Sequence, residues 1–223
     1  MAPSTIKKQY YQELSRVTHA ISHSSRMELI DVLSQGSHSV EELSKEIGMS
    51  LASTSQHLQV LKSARLVDTT REGNYIIYRI SEDSVISLVM AIKELGARRL
   101  AEIDRLVRDF KSDQHVLESI TLEDLIARSK KEKMLLIDVR PQKEYLEGHI
   151  PNAVSVPLSD LNEKMKDLPR DKTIIAYCRG PLCVMASEAV KILKKNKFRA
   201  IGLEQGYVEW KLGAGPHPRP VFN

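Results

Sequence analysis

The stretch SVEELSKEIGMSLASTSQHLQVLKSARLV, residues 39–67, decides the architecture of the N-terminal half. Val40, Leu43 and Ile47 recur at helical spacing and give one buried face, which predicts a short helix. Gly48 permits a tight turn. Ser50 is placed to cap a second helix, whose inner face is Thr54, Leu58 and Leu61. Ala52, Ser55, Gln56, Gln59 and Lys62 are then turned outward. Short polar side chains and a lysine, with no acidic residue among them, suit base edges and phosphates in a DNA major groove.

On the N-terminal side, Tyr10, Leu14, Val17 and Ile21 share one helical stripe, and SSRMELIDVLSQG (24–36) reads as another helix. On the C-terminal side, VDTTREGNYIIYRI (67–80) changes to a period of two around Gly73 and Asn74, which predicts a two-stranded hairpin. Helices followed by a hairpin are the order of a winged helix. From about Asp83 to Phe110 the stripe Val85, Leu88, Ile92, Gly96, Leu100, Ile103, Val107 and Phe110 predicts one long helix. It exceeds what so small a domain needs and suits pairing with a second copy of the chain.

The polar, aperiodic KSDQHVLES (111–119) marks a boundary. The chain divides into a winged-helix DNA-binding and dimerisation domain at 1–111, a linker at 112–117 and a second domain at 118–223. In the second domain apolar runs (MLLIDV, AVSV, TIIAY, RAIGL) alternate with helical segments, the pattern of an α/β fold with a parallel sheet. The tail GAGPHPRPVFN is expected to be irregular. A length of 223 residues suits two domains, and 42% hydrophobic residues can fill both cores. The net charge of +4 permits nucleic-acid contact without requiring it. No window approaches the roughly 18 apolar residues of a membrane span, and the start MAPSTIKKQY has no apolar leader. A cytoplasmic protein that does not engage membranes is expected.

Two cysteines are too few for a disulfide scaffold, and both lie in AYCRGPLCVMA (176–186). Cys178 directly follows a buried strand and stands just before a helix, at the carboxyl end of a parallel sheet where α/β folds place ligands. Loop amides and the helix N-terminus favour an anion, so the Cys178 thiol is expected to have a lowered pKa, with Arg179 adding positive charge. By position alone, an inert buried cysteine is the competing reading.

SSRMELIDVLS, the opening stretch and REGNYIIYRI together resemble the ArsR-type winged-helix repressors, over roughly residues 12–110. The resemblance implies a homodimer that reads a double-stranded DNA operator. Ser55 and Gln56 would reach bases, His57 would brace the recognition helix, and the wing around Arg71 and Asn74 would touch the backbone. Leu51 and Ala52 stand where the family often has Gln and Ser, which implies a different base readout. Family members that sense thiophilic metals carry Cys-Val-Cys where this chain has Ser39-Val40-Glu41, and the zinc sites of others need a His that residues 81–111 lack. No metal or cofactor is therefore expected.

LLIDVRPQKEYLEGHIPNAVSVPL, IIAYCRGPLC and EQGYVEW resemble a rhodanese domain, over about residues 117–221. The resemblance implies that Cys178 accepts a sulfane sulfur from thiosulfate, a polysulfide or a persulfide, with Arg179 and Cys183 beside it and the amides of Gly180, Leu182 and Val184 forming the cradle. Val184 stands where phosphatases of related fold carry the Arg of Cys-x5-Arg, which disfavours ester chemistry. Asp138, Arg140 and His149 match positions read as structural, and Trp210 as core. Pro181 removes one loop amide, and Gln205 replaces the first of two usual glycines. Three functions are compatible with this pairing: a repressor whose rhodanese domain senses sulfur or redox state, a sulfurtransferase that the winged helix localises or dimerises, and an arsenite sensor through Cys178 and Cys183.

Overall fold

A computed structural model describes residues 3–113, 119–129 and 131–213. The chain divides into two compact units after Leu95.

The first unit is built from α1 (Pro3–Ile21), α2 (Ser24–Leu33), β1 (His38–Ser39), α3 (Val40–Glu46), α4 (Leu51–Ser63), β2 (Val67–Glu72) and β3 (Tyr75–Ile80), followed by α5 (Asp83–Arg99). Ser39 Oγ accepts from the Glu42 amide at 3.2 Å while the Ser39 amide donates to Glu42 Oε2 at 2.8 Å, a reciprocal cap that fixes the start of α3. Gly48 takes φ +66, and Ser50 accepts from the Ser53 amide at 3.2 Å, so the turn and the cap at α4 are as expected. Leu43, Leu58 and Leu61 meet Leu29, Ile30 and Tyr78 in one core. The hairpin pairs β2 with β3 around Gly73, at φ +61. β1 adds a third antiparallel strand, His38 lying opposite Tyr78. Two residues are too few to show a period, which is why the sequence pattern does not reveal it.

The expected single helix from 83 to 110 is two helices. α5 ends at Arg99 and α6 (Ala101–Asp113) begins one residue after Leu100. Gly96 has no side chain, and Ile103 Cδ1 lies 2.9 Å from where a Cβ would stand. The apolar stripe is partly used to pack these two helices on each other, something a continuous period cannot reveal.

After α6 the second unit contains β4 (Ser119–Ile120), α7 (Leu122–Ser129), β5 (Met134–Asp138), α8 (Gln142–Glu147), β6 (Val154–Ser155), α9 (Leu161–Lys164), β7 (Thr173–Tyr177), α10 (Val184–Lys195), β8 (Ala200–Leu203) and α11 (Tyr207–Leu212). The sheet is parallel, in the order β4-β8-β7-β5-β6. Every residue of β7 is buried, because helices cover both faces of the central strand. The larger part of the expected linker and the tail beyond Gly213 lie outside the described residues. Among the described residues no helix is long and apolar enough to cross a membrane.

Candidate functional site: an outward helix face and a thiol loop

In α4 the residues assigned inward, Thr54, Leu58 and Leu61, are buried, and Ala52, Gln56, Gln59 and Lys62 are exposed, with Ser55 half-buried. Two of the outward side chains are tied to the hairpin. Gln59 Nε2 donates to the Tyr78 hydroxyl at 3.3 Å, and Lys62 Nζ donates to Thr69 Oγ1 at 2.9 Å. Gln56 and Ser55 are thus the polar groups of this face nearest to free use. His57 packs against the His23 ring at 4.4 Å between centroids, and burial, reinforced by the charges of His23 and Arg26, holds its pKa below the usual histidine value. That position suits bracing α4 from α2. At the hairpin tip Arg71 and Asn74 are exposed, and Arg71 Nε donates to the Gly73 carbonyl at 3.2 Å.

The thiol loop leaves the end of β7 and enters α10. Cys178 is 2% exposed, and its Sγ lies 3.6 Å from the Cys183 carbonyl oxygen. The loop is closed by the Cys183 amide donating to the Gly180 carbonyl at 3.1 Å, with Gly180 at φ +146. Both cysteines are free thiols, and Cys183 is only half-buried.

The two thiols act on each other's ionisation, and the amides that favour their charged forms divide, Gly180 and Ala186 lowering Cys178 and Arg179 and Met185 lowering Cys183. Of the expected cradle residues Gly180, Leu182 and Val184, the Gly180 amide acts on the Cys178 thiol. Leu182 and Val184 are exposed at 61% and 40%. Because α10 starts at Val184, the helix amides aimed back at the loop are the next two, Met185 and Ala186.

The expected lowered pKa of Cys178 is also corrected. Burial pushes the Cys178 thiol up, and the neighbouring Cys183 pushes it further, against the pull of the Gly180 and Ala186 amides. Cys183 is pushed down to about 6, first by the hydrogen bond from the Cys178 thiol and then by the Arg179 and Met185 amides, with burial opposing. The two thiols titrate as one pair, whose first proton leaves more readily than that of an isolated thiol. The Arg179 guanidinium contributes least to this, and it grips both carboxylate oxygens of buried Glu144, with Nη2–Oε1 at 2.6 Å.

Beneath the loop, Asp138 and Arg140 are fully buried. Arg140 Nη2 bonds Asp138 Oδ2 at 2.6 Å and the Gly148 carbonyl at 2.8 Å, while the Tyr177 hydroxyl donates to Asp138 at 2.6 Å. His149 stacks on Tyr145 at 3.8 Å and Trp210 packs in the core near Tyr207. The contacts these groups make are with the framework of the domain, in keeping with structural roles. Gln205 Oε1 accepts from the Leu122 amide at 3.0 Å, tying the start of α7, whereas a Cβ at Gly206 would stand 2.4 Å from the Arg179 carbonyl carbon and 2.5 Å from the Cys178 oxygen. Of the two positions before Tyr207, only the second needs glycine.

Sequence reasoning missed the cleft beside Cys183. Its walls include Phe110 of α6, Pro181, Val190 and Leu203, and it encloses about 40 Å³. Phe110 had signalled only a helix stripe. Among the described residues, no group of three or more His, Cys, Asp or Glu could hold a metal ion.

Residues 23–69 match the bacterial regulatory protein, arsR family, and residues 121–212 match the rhodanese-like domain. HTH-type transcriptional regulator Rv0324 of Mycobacterium tuberculosis is 35% identical over 204 residues, covering 92% of this chain and 89% of its own length. The chain belongs to the ArsR family, with a C-terminal rhodanese domain. Two shorter matches divide between the halves of this ArsR-family protein. The biofilm growth-associated repressor of Agrobacterium fabrum is 36% identical over 80 residues, 36% of this chain and 68% of its own. A sulfurtransferase of Allochromatium vinosum is 29% identical over 80 residues, 35% of this chain and 73% of its own.

Proposed function

We propose that this ArsR-family protein is a homodimeric repressor that binds operator DNA through α4 and the β2–β3 wing, and that the state of the Cys178–Cys183 pair sets its affinity. The observation that carries the DNA-binding part is the outward face of α4, where Ala52, Ser55 and Gln56 are presented without an acidic side chain while Thr54, Leu58 and Leu61 anchor the helix. The regulators and the repressor among its relatives support the same reading. Ile6, Tyr10 and Leu14 on α1 and Leu88 and Leu95 on α5 are exposed apolar side chains, which supports their burial against a second copy.

The regulatory part rests on a loop in which Cys178 Sγ lies 3.6 Å from the Cys183 carbonyl oxygen and the two thiols shift each other's ionisation. A sulfane donor or oxidant converts such a pair to a disulfide or a sulfur-bridged form. Because Phe110 of α6 lines the cleft beside Cys183, a change in the loop has a physical route to the helix that leads back to α5. The sulfurtransferase relative of the C-terminal half favours a second reading, turnover of sulfur from a donor to an acceptor. Sulfur transfer from thiosulfate to cyanide tests it.

The DNA-binding reading is tested by titrating promoter DNA with the full-length protein at several salt concentrations. Affinity is expected to fall with a log–log slope of about −0.9 per phosphate neutralised. Gln56→Ala should cost about 1–3 kcal/mol and relax preference at one base position. Salt-independent binding, or a Gln56→Ala protein that keeps wild-type affinity and base preference, would count against this assignment.

A further inference from the structure

The rhodanese resemblance makes the first loop cysteine the one that receives sulfur. The arrangement of this loop reverses the order. Cys178 lies at the foot of β7, 2% exposed, with its Sγ turned toward Cys183. It is not among the residues lining the cleft, whereas Cys183 is. The Cys183 thiol is held low, first by the Cys178 thiol and then by the amides of Arg179 and Met185, one from each end of the loop.

We infer that Cys183 takes the first sulfur, from an uncharged sulfane donor that enters by the cleft, and that Cys178 resolves the product to a Cys178–Cys183 disulfide. This rests on the thiol-state reading above. The Cys183 thiolate attacks the outer sulfur of a persulfide R–S–SH. A Cys183–S bond forms, the S–S bond of the donor breaks, and RS⁻ leaves. Cys178 Sγ, already beside it, then attacks Cys183 Sγ. The bond between the cysteines forms, HS⁻ departs, and the proton of Cys178 leaves with it as H₂S. The two protein thiols are oxidised by two electrons in total, and the donor is reduced to RSH and H₂S.

The donor class follows from the cleft walls. Phe110, Pro181, Val190 and Leu203 are apolar, Ser119 and Ser187 are neutral, and besides Cys183 itself the ionisable side chain is the carboxylate of Glu204. None of the described residues lining the cleft is basic, so a dianion such as thiosulfate meets no countercharge there. A small alkyl persulfide can place its chain against the apolar wall.

The experiment treats reduced full-length protein with one equivalent of a small alkyl persulfide and follows intact mass over time, in wild type, Cys178→Ser and Cys183→Ser. Wild type should lose two hydrogens as the disulfide forms. Cys178→Ser should gain and keep one sulfur atom, and Cys183→Ser should react at least about tenfold more slowly. Thiosulfate should be the slower donor for wild type. Circular dichroism and a parallel Cys183→Ala variant separate chemistry from misfolding. Sulfur retained by Cys183→Ser but not by Cys178→Ser would overturn the order, as would uptake by neither variant, and faster reaction with thiosulfate would overturn the donor class. DNA affinity is measured on the same samples. If the sulfur chemistry proceeds as stated while affinity is unchanged, the regulatory reading fails and this inference stands.

Discussion

At the scale of single residues, Cys178 and Cys183 differ by where the chain places them. The sequence puts both in one loop after a buried strand, and that much is legible. Which one ionises is not, because it depends on burial at Cys178 and on amides converging at Cys183. The sign of the shift gives a test. Since Cys183 is pushed down to about 6, its thiolate is populated from that pH upward, so alkylation of Cys183 should rise through about pH 6 and level off near neutrality. An ordinary thiol would keep accelerating to about pH 8.5 and beyond. Cys178→Ser replaces the thiol donor with a hydroxyl in altered geometry and should move the midpoint, whereas a midpoint near the ordinary thiol value in wild type would contradict the assigned charge. The Asp138–Arg140 pair was legible as structural from its motif, and its complete burial sets a magnitude. Arg140→Leu leaves Asp138 buried without its cation and should destabilise the protein by about 3–5 kcal/mol in denaturant unfolding. A loss below about 1 kcal/mol would mean that the Tyr177 hydroxyl and the amide of residue 140 suffice for the carboxylate.

Among elements, the helices and long strands follow from period and capping. Ser39, Gly48 and Ser50 punctuate α3 and α4 where their chemistry predicts. The two-residue strands β1 and β4 leave no pattern to read, and the break at Leu100 hides inside a regular stripe. The junction between α11 and the thiol loop is likewise a tertiary fact. At Gly206 the backbone of Cys178 and Arg179 comes so close that a methyl group would stand 2.4 Å from the Arg179 carbonyl carbon. Gly206→Ala should therefore displace the loop, separate the two sulfurs and raise the alkylation midpoint of Cys183 toward the usual thiol value, while leaving DNA binding by the reduced protein intact. An unchanged midpoint would show that the loop does not depend on this contact. By contrast Gln205→Gly, which removes one hydrogen bond to the start of α7, should leave the midpoint where it is.

For the whole molecule, the exposed apolar side chains on α1 and α5 predict that the chain is a dimer in solution. Tyr10→Glu combined with Leu14→Glu should yield monomers by sedimentation and weaken DNA binding, because two recognition helices are needed for two half-sites. A dimer that survives both changes would place the interface elsewhere. If thiol chemistry in the rhodanese domain sets the affinity of the winged helix for DNA, the two sites are energetically coupled. Coupling between such sites is typically about 1–3 kcal/mol, which corresponds to roughly 5- to 150-fold in affinity. The most direct measurement is fluorescence anisotropy of operator DNA against full-length wild type and Cys183→Ser, each fully reduced and after treatment with a small alkyl persulfide. Wild type should change affinity by a factor in that range and recover on reduction, while Cys183→Ser should bind as reduced wild type does and ignore the treatment. Equal affinity of treated and reduced wild type, or an equal shift in the Cys183→Ser protein, would contradict the account.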